Sequence, residues 1–328
     1  MDKKLFFADT KYSLSYDDMI ECTQVIDGGI IYFYNRNYII GKTTQYEIFD
    51  GIWLVYHDLV LNRPELYPLE RDGFIQINYC ISGRCELHYK KSKVFYIGAE
   101  DFIVALLKSK QYKHCFPLGN YIGISIITTK EKLDHFLQVI FPSTKMTSSK
   151  LLIKLEEHAG YFVLANHSEI KSIIQEINQS NQEFFREKAI VKFAELILLL
   201  MNSDMELQTN KKYYDKQMVN KVKHIKHEVT SNIELHVKIE EIAIQYQISA
   251  KAFSECFKEI YGKTYYAFVK EFRIKKAADL LQKEDYTIGD ISIMVGYQNA
   301  SKFSKAFCDV MGVTPIYYRK NHSLPVLD

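Results

Sequence analysis

The sequence lacks the features that mark several large classes of protein. Its 328 residues include only 14 glycines and 6 prolines, while 47% are hydrophobic and 25% are charged, which excludes fibrous and disordered chains. The longest apolar run, at 196–201, is too short to span a bilayer. The apolar run near the amino terminus, 5–7, is too short for a secretory signal. These absences predict a cytoplasmic protein that does not associate with membranes.

Motifs for metal binding and for common enzyme chemistry are also missing. The six cysteines are scattered and form no C-x-x-C pair. In the amino-terminal half, His57, His88 and His114 lie far apart, without the close pairing that metal-binding histidines show. There is no G-x-S-x-G motif, no phosphate-binding loop and no G-x-G-x-x-G motif. We therefore predict no catalytic residue, no metal and no cofactor.

Charge is distributed unevenly, although the whole chain carries a formal charge of only +2. From residue 216 onward, 17 Lys and Arg stand against 13 Asp and Glu, which gives +4; the preceding residues hold 25 against 27, which gives −2. A basic carboxyl-terminal third is compatible with a polyanionic partner.

Hydrophobic patterning divides the chain into two parts. Up to about residue 130, short runs rich in Ile, Val, Tyr and Phe are separated by Gly, Asn or Asp, which is typical of a β-sandwich or small barrel. The segment Ser82–Cys85 predicts a hairpin turn between two of these strands. From about 131 to 202, apolar residues recur at helical spacing, and the longest predicted helix covers 181–201. Because that helix is apolar on more than one side, either full burial or a second copy of the chain could cover it.

A polar segment at 203–216 predicts a linker, and the remainder, 217–328, predicts an all-helical domain. This domain contains one pattern twice: FSECFKEIYGKT at 253–264 and FSKAFCDVMGVT at 303–314, both of the form F-S-x-x-F-x-x-x-x-G-x-T. In each copy an apolar helix precedes the pattern, a capping residue begins it (Ser249 or Asn299), and a glycine ends it (Gly262 or Gly312). Each copy therefore predicts a helix-turn-helix unit, and 265–281 predicts one helix that connects them.

A helix-turn-helix places its second helix in the major groove of DNA. On the two second helices, the residues predicted to face outward are small hydroxyl side chains and charged side chains, as contacts to base edges and phosphates require. They are Lys251, Ser254, Glu255 and Lys258 in the first unit and Ser301, Lys302, Ser304 and Lys305 in the second. Two such helices on one rigid connector predict binding to successive major grooves, about 34 Å apart.

The segment 295–319, VGYQNASKFSKAFCDVMGVTPIYYR, resembles the signature of the AraC/XylS family of bacterial DNA-binding regulators, and the resemblance extends over about a hundred residues. It implies an α+β multidomain chain. A cupin-like β-barrel with dimerisation helices would occupy 1–202 (barrel about 1–130, helices about 131–202), and a double helix-turn-helix domain would occupy 217–328. It also implies that the outward residues read bases, that Arg319 and Lys320 reach phosphates, and that Arg273 is structural. Glu255 departs from the arginine that many members carry, and a carboxylate there can accept from cytosine.

The resemblance further implies double-stranded DNA, a small-molecule effector, a homodimer through the amino-terminal domain, and RNA polymerase as partners. It suggests a ligand-responsive activator. Residues in the central strands that could face an effector pocket are Tyr56, His57, Asn78, Tyr79 and His88. Two alternatives stay open at this point: a metal-dependent cupin-type enzyme fused to a helical domain, and a dimeric DNA-binding protein that needs no ligand.

Overall fold

The computed structural model describes residues 20–36, 39–61, 67–68, 73–89, 92–107, 113–158, 160–165, 167–178, 183–202, 212–283 and 286–322. The chain divides into two units, Met1–Tyr213 and Tyr214–Asp328. The division falls within the predicted linker 203–216, of which 203–211 lies outside the described residues.

The first unit begins with antiparallel strands. Their bounds are β1 (Ile20–Ile26), β2 (Gly29–Arg36), β3 (Ile39–Phe49), β4 (Ile52–Leu61), β5 (Tyr67–Pro68), β6 (Phe74–Tyr89), β7 (Lys93–Gly98), β8 (Asp101–Leu106), β9 (Lys113–Cys115), β10 (Asn120–Thr129) and β11 (Tyr161–Ala165).

One antiparallel sheet has the order β1-β2-β3-β4-β10-β6-β8-β11. The second half of β6 continues into another sheet, where it pairs with β7 and β9, and β9 pairs with β5. In the described part of the chain the large sheet is open, because its outer strands β1 and β11 pair only with β2 and β8. The structure thus confirms an antiparallel sheet domain, but these ladders do not close the predicted barrel.

The hairpin predicted at Ser82–Cys85 is wrong. Strand β6 runs without interruption through this segment, pairing with β10 up to Gly83 and with β7 from Arg84 onward. Gly83 has φ of +95°, and a Cβ at this position would lie 2.3 Å from the carbonyl oxygen of Asn120 on the neighbouring strand. The ladder to β10 also shifts register beside this point. Glycine has no side chain, so it permits a bulge and a close approach of two strands as well as a chain reversal. Here it serves the bulge and the close approach.

Alternation along the strands produces two apolar layers in the first unit. On one face, residues such as Leu54 and Ile126 pack against four helices, whose buried residues include Phe136 and Phe193. On the opposite face, residues such as Leu59 pack against Phe95 and other residues of the smaller sheet. The helices are α1 (Lys130–Ile140), α2 (Ser149–Glu157), α3 (Ser168–Asn178) and α4 (Phe185–Met201).

Helix α4 begins four residues later than the predicted 181 and ends at the predicted residue 201. One side of the helix, including Phe193, Leu196 and Leu200, is buried against the sheet layer. The opposite side leaves Val191 and Leu198 exposed, at 63% and 40% of their surface. Part of the apolar surface of α4 is therefore covered within the first unit and part is not.

The second unit consists of helices after a two-residue strand. Its elements are β12 (Tyr214–Asp215), α5 (Lys216–Ser231), α6 (Ile239–Tyr246), α7 (Ala250–Tyr261), α8 (Tyr265–Leu281), α9 (Ile288–Met294), α10 (Ala300–Met311) and α11 (Pro315–His322). The all-helical carboxyl-terminal domain expected from the sequence is confirmed. Among the described residues, none of the helices combines the length and apolarity that crossing a bilayer requires.

Candidate nucleic-acid interface

The first helix-turn-helix consists of α6 and α7. Lys238 occupies the capping position before α6, and a lysine side chain cannot accept a hydrogen bond from a backbone amide. The structure instead uses Glu241, whose carboxylate accepts from the backbone amide of Lys238 at 3.0 Å. The hydroxyl of Tyr266 also accepts from the amide of Ile239 at 3.4 Å. Glu241 and Tyr266 thus satisfy two backbone amides at the start of α6, in place of a capping side chain at Lys238.

The turn between α6 and α7 depends on one residue in the left-handed region. Gln247 has φ of +52°, and the amide of Ile248 donates to the carbonyl of Ala243 at 3.0 Å. The predicted cap then begins α7, because the hydroxyl of Ser249 accepts from the amide of Ala252 at 3.0 Å. A side-chain acceptor at this position satisfies an amide that has no partner within the helix.

The second helix-turn-helix, α9 and α10, begins with a capping box formed by Thr287 and Asp290. The hydroxyl of Thr287 accepts from the amide of Asp290 at 3.1 Å, and the carboxylate of Asp290 accepts from the amide of Thr287 at 3.0 Å. The Thr287 hydroxyl also donates to this carboxylate at 2.6 Å, and that bond, followed by the one from the Thr287 backbone amide, lowers the pKa of Asp290. Asn299 caps α10 by accepting from the amides of Ser301 and Lys302, at 2.8 and 3.1 Å.

The second helices of the two helix-turn-helix units end at the predicted glycines, and the two turns differ in length. Gly262 and Gly312 end α7 and α10 with φ of +72° and +76°. The first helices of the two units start 49 residues apart, at 239 and 288, whereas the second helices start 50 apart, at 250 and 300. The extra residue lies in the second turn, where Gly296 has φ of +84°.

The outward residues predicted on α7 and α10 lie at the surface. On α10, Ser301, Lys302 and Lys305 are exposed and Ser304 is partly exposed, while Phe303 and Phe307 on the other side are fully buried. On α7, Lys251 and Lys258 are exposed, and Ser254 and Glu255 are partly exposed, while Phe253 and Phe257 are fully buried. Each second helix therefore presents a polar side away from its core, as a groove-binding helix requires.

Polar side chains on α7 have partners within the helix. The hydroxyl of Ser254 donates to the carbonyl of Ala250 at 2.8 Å, which leaves its oxygen able to accept. Lys251 and Glu255 form a long ion pair of 4.0 Å, one turn apart. An exposed pair of this length contributes little to stability, so Lys251 can be redirected toward a ligand at small cost.

The connecting helix α8 holds the two helix-turn-helix units together through a buried arginine. Arg273 is 5% exposed, and its guanidinium donates to the carbonyls of Ile233 and Leu235, each at 3.0 Å, in the loop before α6. A longer bond of 3.5 Å reaches the carbonyl of Gly296 in the second turn. Burial lowers the pKa of Arg273. This geometry agrees with the structural role that the resemblance implies.

His236 contributes to the same connection, and nothing in the sequence pattern indicated it. Its Nε2 lies 2.6 Å from the carbonyl oxygen of Gly296 and its Nδ1 lies 3.3 Å from Nη1 of Arg273. Donation from Nε2 to the carbonyl leaves Nδ1 to accept from the arginine. His236 lies 60 positions from Gly296 and 37 from Arg273 in the chain, so only the fold brings these residues together.

Arg319, predicted to reach phosphate, has an intramolecular contact. Its Nη2 donates to the carbonyl of Tyr286 at 2.7 Å, immediately before the residue that caps α9. The contact connects α11 to the start of α9, the first helix of the second helix-turn-helix. Lys320 beside it is exposed.

The five residues predicted to line an effector pocket do not converge on one site. His57 and Asn78 lie on the same face of the large sheet, and both contact the hydroxyl of the fully buried Ser125, at 3.1 and 3.2 Å. The side chains of Gln76 and Tyr121 join this polar cluster: Gln76 Nε2 lies 3.4 Å from the Ser125 hydroxyl, and Tyr121 donates to Asn78 at 2.6 Å.

Tyr56 and Tyr79 lie on the opposite face, since successive side chains of a strand alternate. Tyr56 donates to the carbonyl of Ile177 on α3 at 3.0 Å, and Tyr79 belongs to the core layer beneath the helices. His88 lies in the second half of β6, where its Nε2 is 2.9 Å from the carboxylate of Glu86. Grouping these three with His57 and Asn78 is therefore corrected: strand alternation and the length of β6 separate them.

The described residues contain no group of three or more His, Cys, Asp or Glu side chains arranged to hold a metal ion. His57 and His88 bond to Ser125 and Glu86 respectively. The side chain of His114 lies outside the described part.

Comparison with known proteins gives a match over the carboxyl-terminal unit. Residues 242–321 match a family model described as a helix-turn-helix domain. The chain is 32% identical over 89 residues to "Probable transcription factor PqrA" of Proteus vulgaris; the match covers 27% of this chain and 73% of PqrA.

Two further relatives extend the match toward the amino terminus. The HTH-type transcriptional regulator YdeC of Bacillus subtilis is 26% identical over 167 residues, 49% of this chain and 57% of YdeC. The HTH-type transcriptional activator RhaR of Mannheimia succiniciproducens is 24% identical over 256 residues, 77% of this chain and 87% of RhaR. The chain thus spans little more than half the length of YdeC.

Proposed function

Because the chain belongs to the AraC family of helix-turn-helix transcription regulators, we propose that it regulates transcription by binding double-stranded DNA through α7 and α10. The two helices enter successive major grooves on one side of the duplex. Activation is the outcome we propose, because RhaR is named an activator. RNA polymerase is then the expected protein partner at the promoter.

The observation that carries this proposal is the paired construction of α7 and α10. Each has a side-chain cap at its start, a left-handed glycine at its end and two buried phenylalanines on its inner side. Caps and buried phenylalanines hold each helix in place, so that its polar side is presented without further folding. A rigid polar helix loses little conformational entropy when it enters a groove, which favours binding.

The outward side chains suggest how the two helices divide recognition. On α10, Lys302 and Lys305 can bind phosphate or guanine, and Ser301 and Ser304 can bind either base edges or phosphates. On α7, Glu255 repels phosphate and can accept from the amino group of cytosine. We therefore propose that α10 supplies more of the affinity and that α7 contributes selectivity at a cytosine.

The proposal is tested with Lys302→Ala and Lys305→Ala in the full chain. Each variant should weaken binding to an operator selected by this protein from a random duplex pool. If the lysine contacts phosphate, the slope of log K against log salt should become less steep by about one unit. Lys276→Ala removes an exposed lysine from α8 and serves as the matched control. Unchanged affinity and slope in both α10 variants would refute the assignment of α10 as a recognition helix.

We further propose that the amino-terminal unit is a cupin-like sensor for a small polar effector. The polar cluster of Gln76, His57, Asn78, Tyr121 and Ser125 supports this, because it places hydrogen-bonding groups between two apolar clusters on the same face of the large sheet. A ligand that binds only the folded unit must raise its melting temperature, so a thermal-shift screen of metabolites tests the proposal. Compounds that stabilise the wild type but not His57→Ala would locate the site at this cluster.

We also propose that the exposed side of α4 contacts a second copy of the chain. Phe184, Val191 and Leu198 are exposed and recur at seven-residue intervals, which is the spacing of a helix-pairing seam. Sedimentation equilibrium of the full chain distinguishes a dimer from a monomer.

A further inference from the structure

The carboxyl-terminal unit contains a cleft between its two helix-turn-helix units. The cleft has a volume of about 860 Å³ and is lined by the loop before α6, the first half of α8 and the turn before α10. Lys302, one of the outward residues of α10, is among the residues that line it. The cleft therefore opens beside the surface proposed to bind DNA.

Three lysines line the cleft, each from a different element. Lys238 precedes α6, Lys270 lies on α8 and Lys302 lies on α10. The described lining contains no aspartate or glutamate. Lys270 forms an exposed ion pair of 2.7 Å with Asp309 of α10, so it is tethered near the cleft without being buried. Lys238 and Lys270 therefore bring positively charged groups to the cleft in addition to Lys302, and neither of them is an outward residue of α7 or α10.

The shape of the cleft is maintained by the buried arginine described above. Arg273 lines the cleft, and its donors are directed to the carbonyls of Ile233 and Leu235 on one side and of Gly296 on the other. These bonds connect the two walls. Asn299 also lines the cleft and caps α10, so the positive end of that helix dipole lies beside it.

The geometry of B-DNA specifies what would lie opposite such a cleft. Two successive major grooves on one side of a duplex are about 34 Å apart. Between them, on the same side, runs the minor groove, about 6 Å wide, with a sugar-phosphate backbone along each edge. Double-stranded DNA carries one negative charge per 1.7 Å of helix axis, so this intervening stretch is densely anionic.

We propose that the cleft binds the sugar-phosphate backbone between the two major grooves, with Lys238, Lys270 and Lys302 neutralising phosphates. This inference rests on the proposed function, since it takes α7 and α10 as the groove-binding helices. It adds Lys238 and Lys270 to the surface that contacts DNA. These contacts carry no sequence information; they set the register of the two recognition helices on the duplex.

The test uses the full chain with the double variant Lys238→Gln and Lys270→Gln. The matched control is Lys276→Gln with Lys283→Gln, which removes the same charge from exposed positions outside the cleft. Binding is measured across a range of salt concentrations, on the operator selected from a random pool and on a mixed-sequence duplex. Loss of two phosphate contacts should reduce the salt slope by about 1.8 and weaken binding roughly 60-fold at 0.1 M salt, similarly on both duplexes. The control should stay close to wild type.

A second measurement uses the wild-type chain and does not depend on the folding of any variant. Bound operator should protect Lys238 and Lys270 from acetylation by a water-soluble reagent, while Lys276 and Lys283 stay reactive. Ethylation of operator phosphates between the two protected major grooves should also interfere with binding.

The outcomes separate the two proposals. If the wild type selects no sequence and binds duplexes without salt dependence, the proposed function fails. If the wild type binds and Lys305→Ala weakens it, yet the cleft variant matches its control and both cleft lysines stay reactive, the cleft inference alone is overturned.

Discussion

Replacement of Arg273 by alanine tests whether one buried side chain determines how the two helix-turn-helix units are held together. In the structure the guanidinium reaches carbonyl oxygens in the loop before α6 and in the turn before α10. It also lies 5.9 Å from the centre of the Tyr297 ring. Alanine removes all of these contacts and leaves the carbonyls of Ile233 and Leu235 without this donor.

The expected cost follows from the two bonds of 3.0 Å, since the bond to Gly296, at 3.5 Å, is weak. A hydrogen bond from a charged donor contributes about 1.5–3 kcal/mol. Removing Arg273 also removes the cost of burying a cation, which the lowered pKa reflects, so part of this loss is offset. We expect a net loss of about 2–4 kcal/mol, a large share of the ~5–15 kcal/mol that stabilises a typical domain.

Hydrogen exchange of the full chain, followed by mass spectrometry, measures this loss locally. Peptides covering 233–238 and 294–299 should exchange faster in Arg273→Ala than in the wild type, and peptides from the amino-terminal unit serve as an internal reference. Operator affinity should fall at least tenfold, because the spacing of α7 and α10 is no longer maintained. Arg273→Lys should recover little, since one ammonium group cannot reproduce the planar fork that reaches both carbonyls.

Exchange rates and operator affinity equal to wild type in Arg273→Ala would show that the two units are held together by their apolar packing alone. Faster exchange throughout the carboxyl-terminal unit, without a maximum at the two segments, would indicate a general loss of stability. Either result would refute a positioning role for Arg273.

Two further predictions concern the same unit. Gly296→Ala should destabilise it by at least about 1 kcal/mol more than Gly312→Ala in urea unfolding: both have positive φ, but an added Cβ meets Arg273 and Ile233 at 2.8 Å only at Gly296, and nothing lies within 4 Å at Gly312. Equal losses would show that backbone strain alone requires Gly296. Burial raises the pKa of Tyr265 to about 12, whereas an unfolded tyrosine ionises near pH 10. The folded state therefore keeps a proton that the unfolded state releases, so stability is retained below pH 10 and falls toward pH 12. Urea unfolding by circular dichroism at pH 9 and pH 11 should show this fall, and Tyr265→Phe should reduce it; an identical fall in the variant would contradict the assignment to Tyr265.

The carboxyl-terminal unit could be predicted from the sequence in detail because its signals are local. A cap at Ser249 or Asn299 forms with amides two or three residues away, and a left-handed Gly262 or Gly312 ends the helix that immediately precedes it. Helical spacing then separates the buried phenylalanines from the outward lysines and serines. No distant part of the chain is needed for any of these features.

The amino-terminal unit was less predictable because strands depend on distant partners. Whether His57 or Tyr56 faces the polar cluster depends on register, and a shift of one residue reverses every side chain. The turn signal at Ser82–Cys85 does not specify a hairpin, because glycine permits a bulge as readily as a chain reversal.

The sequence alone determined the double helix-turn-helix, its helix boundaries and the residues on its outer side, since helix periodicity and capping operate within a few residues. Only the tertiary structure decided that His57 and Asn78 share Ser125 and that three lysines line one cleft. It also decided that Arg273 and His236 join the two helix-turn-helix units. Those contacts join residues that lie 23 to 68 positions apart in the chain, and packing of the whole unit brings them together.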